Sequence, residues 1–230
     1  MVKLEESGGT EGESATRIFG NERMGLLFSK FQSAVIRSGI ELERMIYAEI
    51  PIEMRTTLQE LNDPSRDIKN CPPIQIVFKP ASPDPDSKKK SIQGDLLIVD
   101  NKKLSFMLVE VKEGHIFDTK KADGELASLK NITSWLAQKF AYRTTYFLCS
   151  FNQESKEEIV SGAKRRFTIE HVLTGRELCD KIGIDYDALR KKRQSDQLQN
   201  RIYFLRKLLE IPEIREEVVV LLGELNVSDE

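Results

Sequence analysis

The chain has 230 residues, enough for one compact domain or one domain with an appended subdomain. Apolar residues make up 40% and charged residues 31%, and the net charge of −2 speaks against a uniformly basic nucleic-acid binder. No run approaches the ~18 apolar residues that mark a membrane span, and three cysteines at wide spacing (Cys71, Cys149, Cys179) fit a reducing cytoplasm better than a disulfide framework or a zinc site.

The opening MVKLEESGGTEGESATR has no apolar core, so residues 1–20 are expected to be a disordered lead-in and not a secretory signal. Apolar residues at three- and four-residue spacing predict a long helix over 22–50, which Pro51 ends or kinks. The stretch 61–73 is rich in Asp, Asn and Pro and reads as loop, IQIVF (74–78) as a short strand, and PASPDPDSKKKS (80–91) as a turn region. A hairpin over 95–113 follows, then an amphipathic helix over 122–141 and a buried strand over 144–151. SKEEIVSGAK predicts a short helix, FTIEHVL a strand and GRELCDKIG a helix. From Asp185 on the pattern is helical, with Pro212 opening a last helix. This order predicts an α/β (α+β) domain, a mixed central sheet flanked by helices.

Charge is uneven along the chain. ALRKKRQSDQLQNRIYFLRK (188–207) holds seven Lys/Arg against one acid, a local net of +6, and SKKKS (87–91) and AKRR (163–166) add smaller clusters. A basic patch on a near-neutral protein is compatible with phosphate binding.

The hairpin GDLLIVDNKKLSFMLVEVKEG (94–114) carries Asp95 at its entrance and Glu110 and Lys112 at its exit, in strands otherwise apolar. With Lys102 and Lys103 at the turn, residue 100 faces 105 and Asp95 faces Glu110, which brings their Cβ atoms to about 5 Å. Period-two alternation puts Glu110 and Lys112 on one face. Asp100 lies at the turn, five positions from the level of Glu110, about 17 Å at ~3.4 Å per residue. Two carboxylates that close repel unless a cation or a proton lies between them, and a pair of carboxylates suits Mg²⁺ or Mn²⁺.

Gly94-Asp95, fourteen residues, then Glu110-Val111-Lys112 resembles the signature of the PD-(D/E)xK nuclease superfamily. One departure is that the acid follows glycine where the family has proline; the literal Pro83-Asp84 and Pro85-Asp86 pairs fall in the upstream turn region. The resemblance implies a restriction-endonuclease-like core over 21–175 and a helical C-terminal extension over 176–230 for DNA recognition or dimerisation. It further implies that Asp95 and Glu110, with the backbone carbonyl of Val111, hold Mg²⁺, with Mn²⁺ as substitute, while Lys112 orients or deprotonates the attacking water.

Members of the superfamily often add a glutamate from the first helix. Ile36, Ile40, Tyr47 and Ile50 would form a stripe with Glu43 in its middle, whereas Glu41 would point with Arg37 and Arg44 toward solvent. Glu43 is therefore the expected fourth catalytic residue and third acid.

The segment FNQESKEEIVSGAKRRFTIEHVLTGRELCDKIGIDY (151–186) resembles the second half of a type II restriction endonuclease, which implies double-stranded DNA as partner and a homodimer. Asn152 and Gln153 are candidates for pairing with adenine. Lys164, Arg165, Arg166, Arg190, Lys191, Lys192 and Arg193 are candidates for phosphate or guanine contacts. A structure-specific or repair nuclease on the same core, and an inactive DNA-binding or assembly module, are the competing readings. The intact Asp95, Glu110 and Lys112 set speaks against the inactive module.

Overall fold

The computed structural model describes residues 3–4, 13–82, 92–114 and 119–227. The Pro-Asp pairs at 83–86, the lysine cluster and His115 lie outside the described residues. In chain order the elements are α1 (Glu13–Phe19), α2 (Glu22–Glu49), β1 (Arg55–Thr56), α3 (Leu58–Leu61), β2 (Ile74–Phe78), β3 (Ala81–Ser82), β4 (Ile92–Gln93), β5 (Leu96–Asp100), β6 (Ser105–Lys112), α4 (Thr119–Lys139), β7 (Arg143–Ser150), α5 (Lys156–Gly162), β8 (Val172–Thr174), α6 (Gly175–Ile182), α7 (Tyr186–Gln194), α8 (Gln197–Leu209) and α9 (Pro212–Val227). They fall into two compact units, one of residues 42–189 and one of the described residues up to Glu41 together with those from Arg190 on. Among the described residues no helix is long and apolar enough to cross a membrane.

The first unit is built on a six-stranded mixed sheet in the order β1-β2-β5-β6-β7-β8. β5 runs antiparallel to both β2 and β6, while β7 lies parallel to β6 and β8 parallel to β7. Alternation along the strands divides the core into two layers. Ile76, Leu96, Ile98, Val109 and Val111 pack with Leu42, Ile46 and Ile50 of α2 and with Leu178 and Ile182 of α6. Val77, Leu97, Val99, Phe106 and Leu108 pack on the other layer with Leu129, Ile132 and Leu136 of α4. Each such side chain, fully buried, contributes about 1.5–3 kcal/mol.

The hairpin takes the predicted register: Leu96 is opposite Val109, Leu97 opposite Leu108 and Asp100 opposite Ser105. Its turn is fixed by Asp100, whose Oδ1 accepts from the backbone N–H groups of Lys102 (3.1 Å) and Lys103 (2.9 Å). Beside the turn, Arg66 donates to Gln75 Oε1 (2.8 Å), Asn101 Oδ1 (2.7 Å) and Tyr142 Oη (3.1 Å), and Asn101 Nδ2 donates to the Pro72 carbonyl (2.7 Å).

Three expectations change. Part of the lead-in, Glu13–Phe19, is helical, and its Phe19 ring stacks on Phe28 at 4.7 Å, an apolar contact the polar flanks hide. The strand expected over FTIEHVL shrinks to Val172–Thr174, because β7 offers it only Leu148, Cys149 and Ser150 and the residues before it turn into a 3-10 helix. The buried stripe of α2 in the sheet unit is Leu42, Met45, Ile46 and Ile50; Ile36 and Ile40 are exposed.

The second unit gathers the helices at both ends of the chain. Phe204 of α8 meets Phe28 and Phe31 of α2 at ring distances of 6.2 and 6.1 Å, and the Leu4 N–H donates to Asn200 Oδ1 at 2.9 Å.

Candidate active site

The charged residues of the hairpin converge where β5 begins and β6 ends. Asp95 and Glu110 are buried, 5% and 8% exposed. Asp95 sits one residue before β5, and its side chain takes over where the strand ladder stops: Oδ2 accepts the Val111 N–H at 2.7 Å. That bond fixes the plane of the carboxylate. The preceding glycine is required by close approach, since a Cβ at Gly94 would meet Leu108 Cδ1 at 2.8 Å. Its N–H also donates to the Pro80 carbonyl at 2.9 Å, a bond that a proline there would lose. Both facts account for the departure from proline.

Four acids and two lysines form two linked clamps. Lys79 Nζ lies 2.6 Å from Asp95 Oδ1 and also pairs with Glu43. Lys112 Nζ lies 2.5 Å from Glu110 Oε1 and 2.9 Å from Glu125 Oε1 of α4. Burial, together with the charge of Asp95, pushes the Glu110 carboxyl up to about 8, against the lowering effect of Lys112. Burial also raises Glu43, although Lys79 pulls the other way. Both ammonium groups are raised: burial alone would lower them, but the carboxylates outweigh it, Asp95 and Glu43 at Lys79, Glu110 and Glu125 at Lys112.

Asp95, Glu110, Val111, Lys112 and Glu43 are thus brought together, as expected. Glu43 reaches the cluster through Lys79 from the edge of the buried stripe of α2, not from its middle. Lys79 and Glu125 were missed from the sequence. Lys79 follows β2, and the antiparallel pairing of Phe78 with Leu96 carries it to Asp95; the signal was a lysine directly after an apolar strand. Glu125 depends on how α4 docks, for which the sequence carries no local sign.

The other predicted residues are dispersed. Asn152 follows β7, and its Nδ2 donates to the Glu113 carbonyl at 3.1 Å, fixing the segment after Lys112. Gln153 is buried, and its Oε1 has no hydrogen-bond partner among the described residues. Lys164 and Arg165 occupy an exposed left-handed turn after α5 (φ 53° and 57°), and Arg166 pairs with Asp123 of α4 at 2.9 Å. Arg190, Lys191, Lys192 and Arg193 lie in the second half of α7, where Arg193 donates to Ser38 Oγ at 3.2 Å.

No group of three His, Cys, Asp or Glu side chains among the described residues is arranged to hold a metal ion. Two adjacent carboxylates nevertheless suit Mg²⁺, which keeps several waters and takes its remaining oxygens from substrate phosphate.

No family model matches the chain. It is 36% identical over 228 residues, covering 95% of this chain and 98% of the relative, to the type II restriction enzyme HhaII of Haemophilus parahaemolyticus. The chain belongs to the type II restriction endonucleases. Those enzymes are site-specific deoxyribonucleases of the PD-(D/E)xK superfamily, so the acids and lysine of the hairpin stand in a nuclease fold. Of the three readings of the sequence, membership selects the restriction endonuclease over the repair nuclease and the inactive module.

Proposed function

We propose that this restriction endonuclease cuts double-stranded DNA at one short sequence in a Mg²⁺-dependent reaction, acting as a homodimer in the cytoplasm. The observation that carries the metal dependence is the placement of Asp95 and Glu110, two buried carboxylates at one end of the sheet with Lys112 beside them.

Asp95 and Glu110, with the Val111 carbonyl, are the groups to hold the cation. When bound, it supplies Lewis-acid stabilisation of the charge that grows on the scissile phosphate. The Val111 N–H holds Asp95 Oδ2, so the other oxygen, Oδ1, which pairs with Lys79, is presented in one direction. Glu110 carries a proton or faces a cation, and Glu125 holds Lys112 in place from the other side. Lys112 orients the attacking water, and its fixed charge meets the negative charge of the transition state without reorganisation. Glu43, acting with Lys79, completes the acidic end of the site. Arg190, Lys191, Lys192, Arg193, Lys164, Arg165 and Arg166 are the residues to contact phosphates, which fix position without reading sequence, and Asn152 and Gln153 are the candidates for reading bases.

The test is a digest of plasmids of varied sequence with pure protein, with Mg²⁺ and then with excess chelator. Discrete bands that vanish with chelation are expected. A smear with Mg²⁺ would overturn site specificity, and discrete bands that survive chelation would overturn the metal dependence.

A further inference from the structure

We propose that Lys79 is a resident placeholder for the divalent cation, its ammonium occupying the one Asp95 oxygen that the backbone leaves open and withdrawing when the cation enters. The inference rests on the reading of Asp95 as a cation ligand. Asp95 Oδ2 is taken by the Val111 N–H at 2.7 Å, so Oδ1 is the atom left for a cation, and Lys79 Nζ sits 2.6 Å from it. An ammonium and a divalent cation on one oxygen repel each other, so one must leave.

Lys79 is built to be the one that moves. Its backbone is pinned, with its N–H donating to the Asp95 carbonyl at 2.9 Å and its φ at +51°. Its side chain is a flexible four-carbon stem that is 30% exposed, against 7% for that of Asp95, so the ammonium has a path to water that the carboxylate lacks. Glu43 holds the ammonium from the other side and remains a partner when Asp95 is released. Lys112, between Glu110 and Glu125, is the less exposed of the two lysines, 23% against 30%. A DNA phosphate gives the displaced ammonium a new partner, so cation and duplex enter together and the DNA-free protein binds the cation weakly.

The experiment is calorimetric titration of Mn²⁺ into the DNA-free full chain, comparing wild type, Lys79→Met, the charge-retaining Lys79→Arg, and Lys103→Met. Lys103 pairs with Asp100 at the hairpin turn and controls for the loss of one positive charge. Lys79→Met is expected to bind Mn²⁺ roughly tenfold or more tightly than wild type, the effect of removing one adjacent unit charge. Lys79→Arg should stay near wild type. A Lys79→Met affinity equal to that of Lys103→Met, or weaker than wild type, overturns the placeholder. Should Lys79→Met fail to fold, the wild type decides: amine labelling read by mass spectrometry should rise several-fold at Lys79 when Ca²⁺ saturates the protein, with Lys103 unchanged. Unchanged labelling at Lys79 overturns the proposal. Failure of the underlying reading looks different: none of the four proteins would take up Mn²⁺, with or without DNA.

Discussion

Asp95 and Asp100 are both aspartates at the ends of one five-residue strand, and their surroundings separate them. Asp95 is locked against Val111 in a cluster of charges, whereas Asp100 accepts two backbone N–H groups of the turn. Alanine at Asp95, Glu110 or Lys112 is therefore expected to lower the cleavage rate by about 10³-fold or more, with circular dichroism and DNA binding retained. Asp100→Ala should cut at the wild-type rate and lose about 1 kcal/mol of stability in urea unfolding. Loss of cleavage by Asp100→Ala alone would relocate the site to the turn. Glu43→Gln keeps the shape and removes the charge beside Lys79, so it should slow cleavage strongly, while Glu41→Gln changes little; equal rates would make Glu43 structural. A third outcome concerns pH. Glu110 is raised from 4.5 to about 8, so the folded protein binds the extra proton between those values. The sign follows: its contribution to stability is full below pH 4.5 and falls as pH rises toward about 8. Glu110→Gln should therefore gain on wild type in thermal stability as the pH rises through that window, in metal-free buffer. The same proton opposes a cation, so divalent-ion affinity of the wild type should increase up to about pH 8.

The hairpin is the element in which sequence and structure agree most closely. Its register was legible because a turn of known length fixes every pair, and because a slip of one residue would turn all its apolar side chains to the wrong layer. The helices over α2, α4 and α6 were legible from their spacing. What local pattern could not give is pairing between distant segments: β2 alongside β5, which delivers Lys79, and α4 across β6, which delivers Glu125. The stripe drawn through Ile36 and Ile40 failed for a related reason. Period alone says that a helix has a face, and only the partner says which residues lie under it. Gly94 tests the packing of the hairpin entrance. Gly94→Ala forces a methyl against buried Leu108, and the overpacking should cost about 1–3 kcal/mol in urea unfolding. Gly94→Pro removes the N–H bonded to Pro80 as well and should cost more; equal stability of the proline variant would show that the entrance has room to spare.

At the scale of the whole molecule the basic stretch over 188–207 sets the expected response to salt. If Lys191 and Lys192 touch phosphates, replacing both with Ala should flatten the slope of log K against log salt by up to about two units, at about −0.9 per contact on duplex DNA. Specific and non-specific DNA should be affected alike. An unchanged slope with an unaltered sedimentation coefficient would remove this stretch from the DNA interface, and a lowered sedimentation coefficient would assign it to a contact between copies of the chain. The division of the chain has a consequence for the order in which the protein is made. The sheet and all four acids of the site belong to one uninterrupted stretch, 42–189, while Phe28, Phe31 and Leu4 wait for partners that lie beyond Arg190. On the ribosome, the strands that carry the candidate site can close before α8 has emerged, since segments fold as they become available. Phe28 and Phe31, made before the sheet, are thus packed only after it, once α8 supplies Phe204.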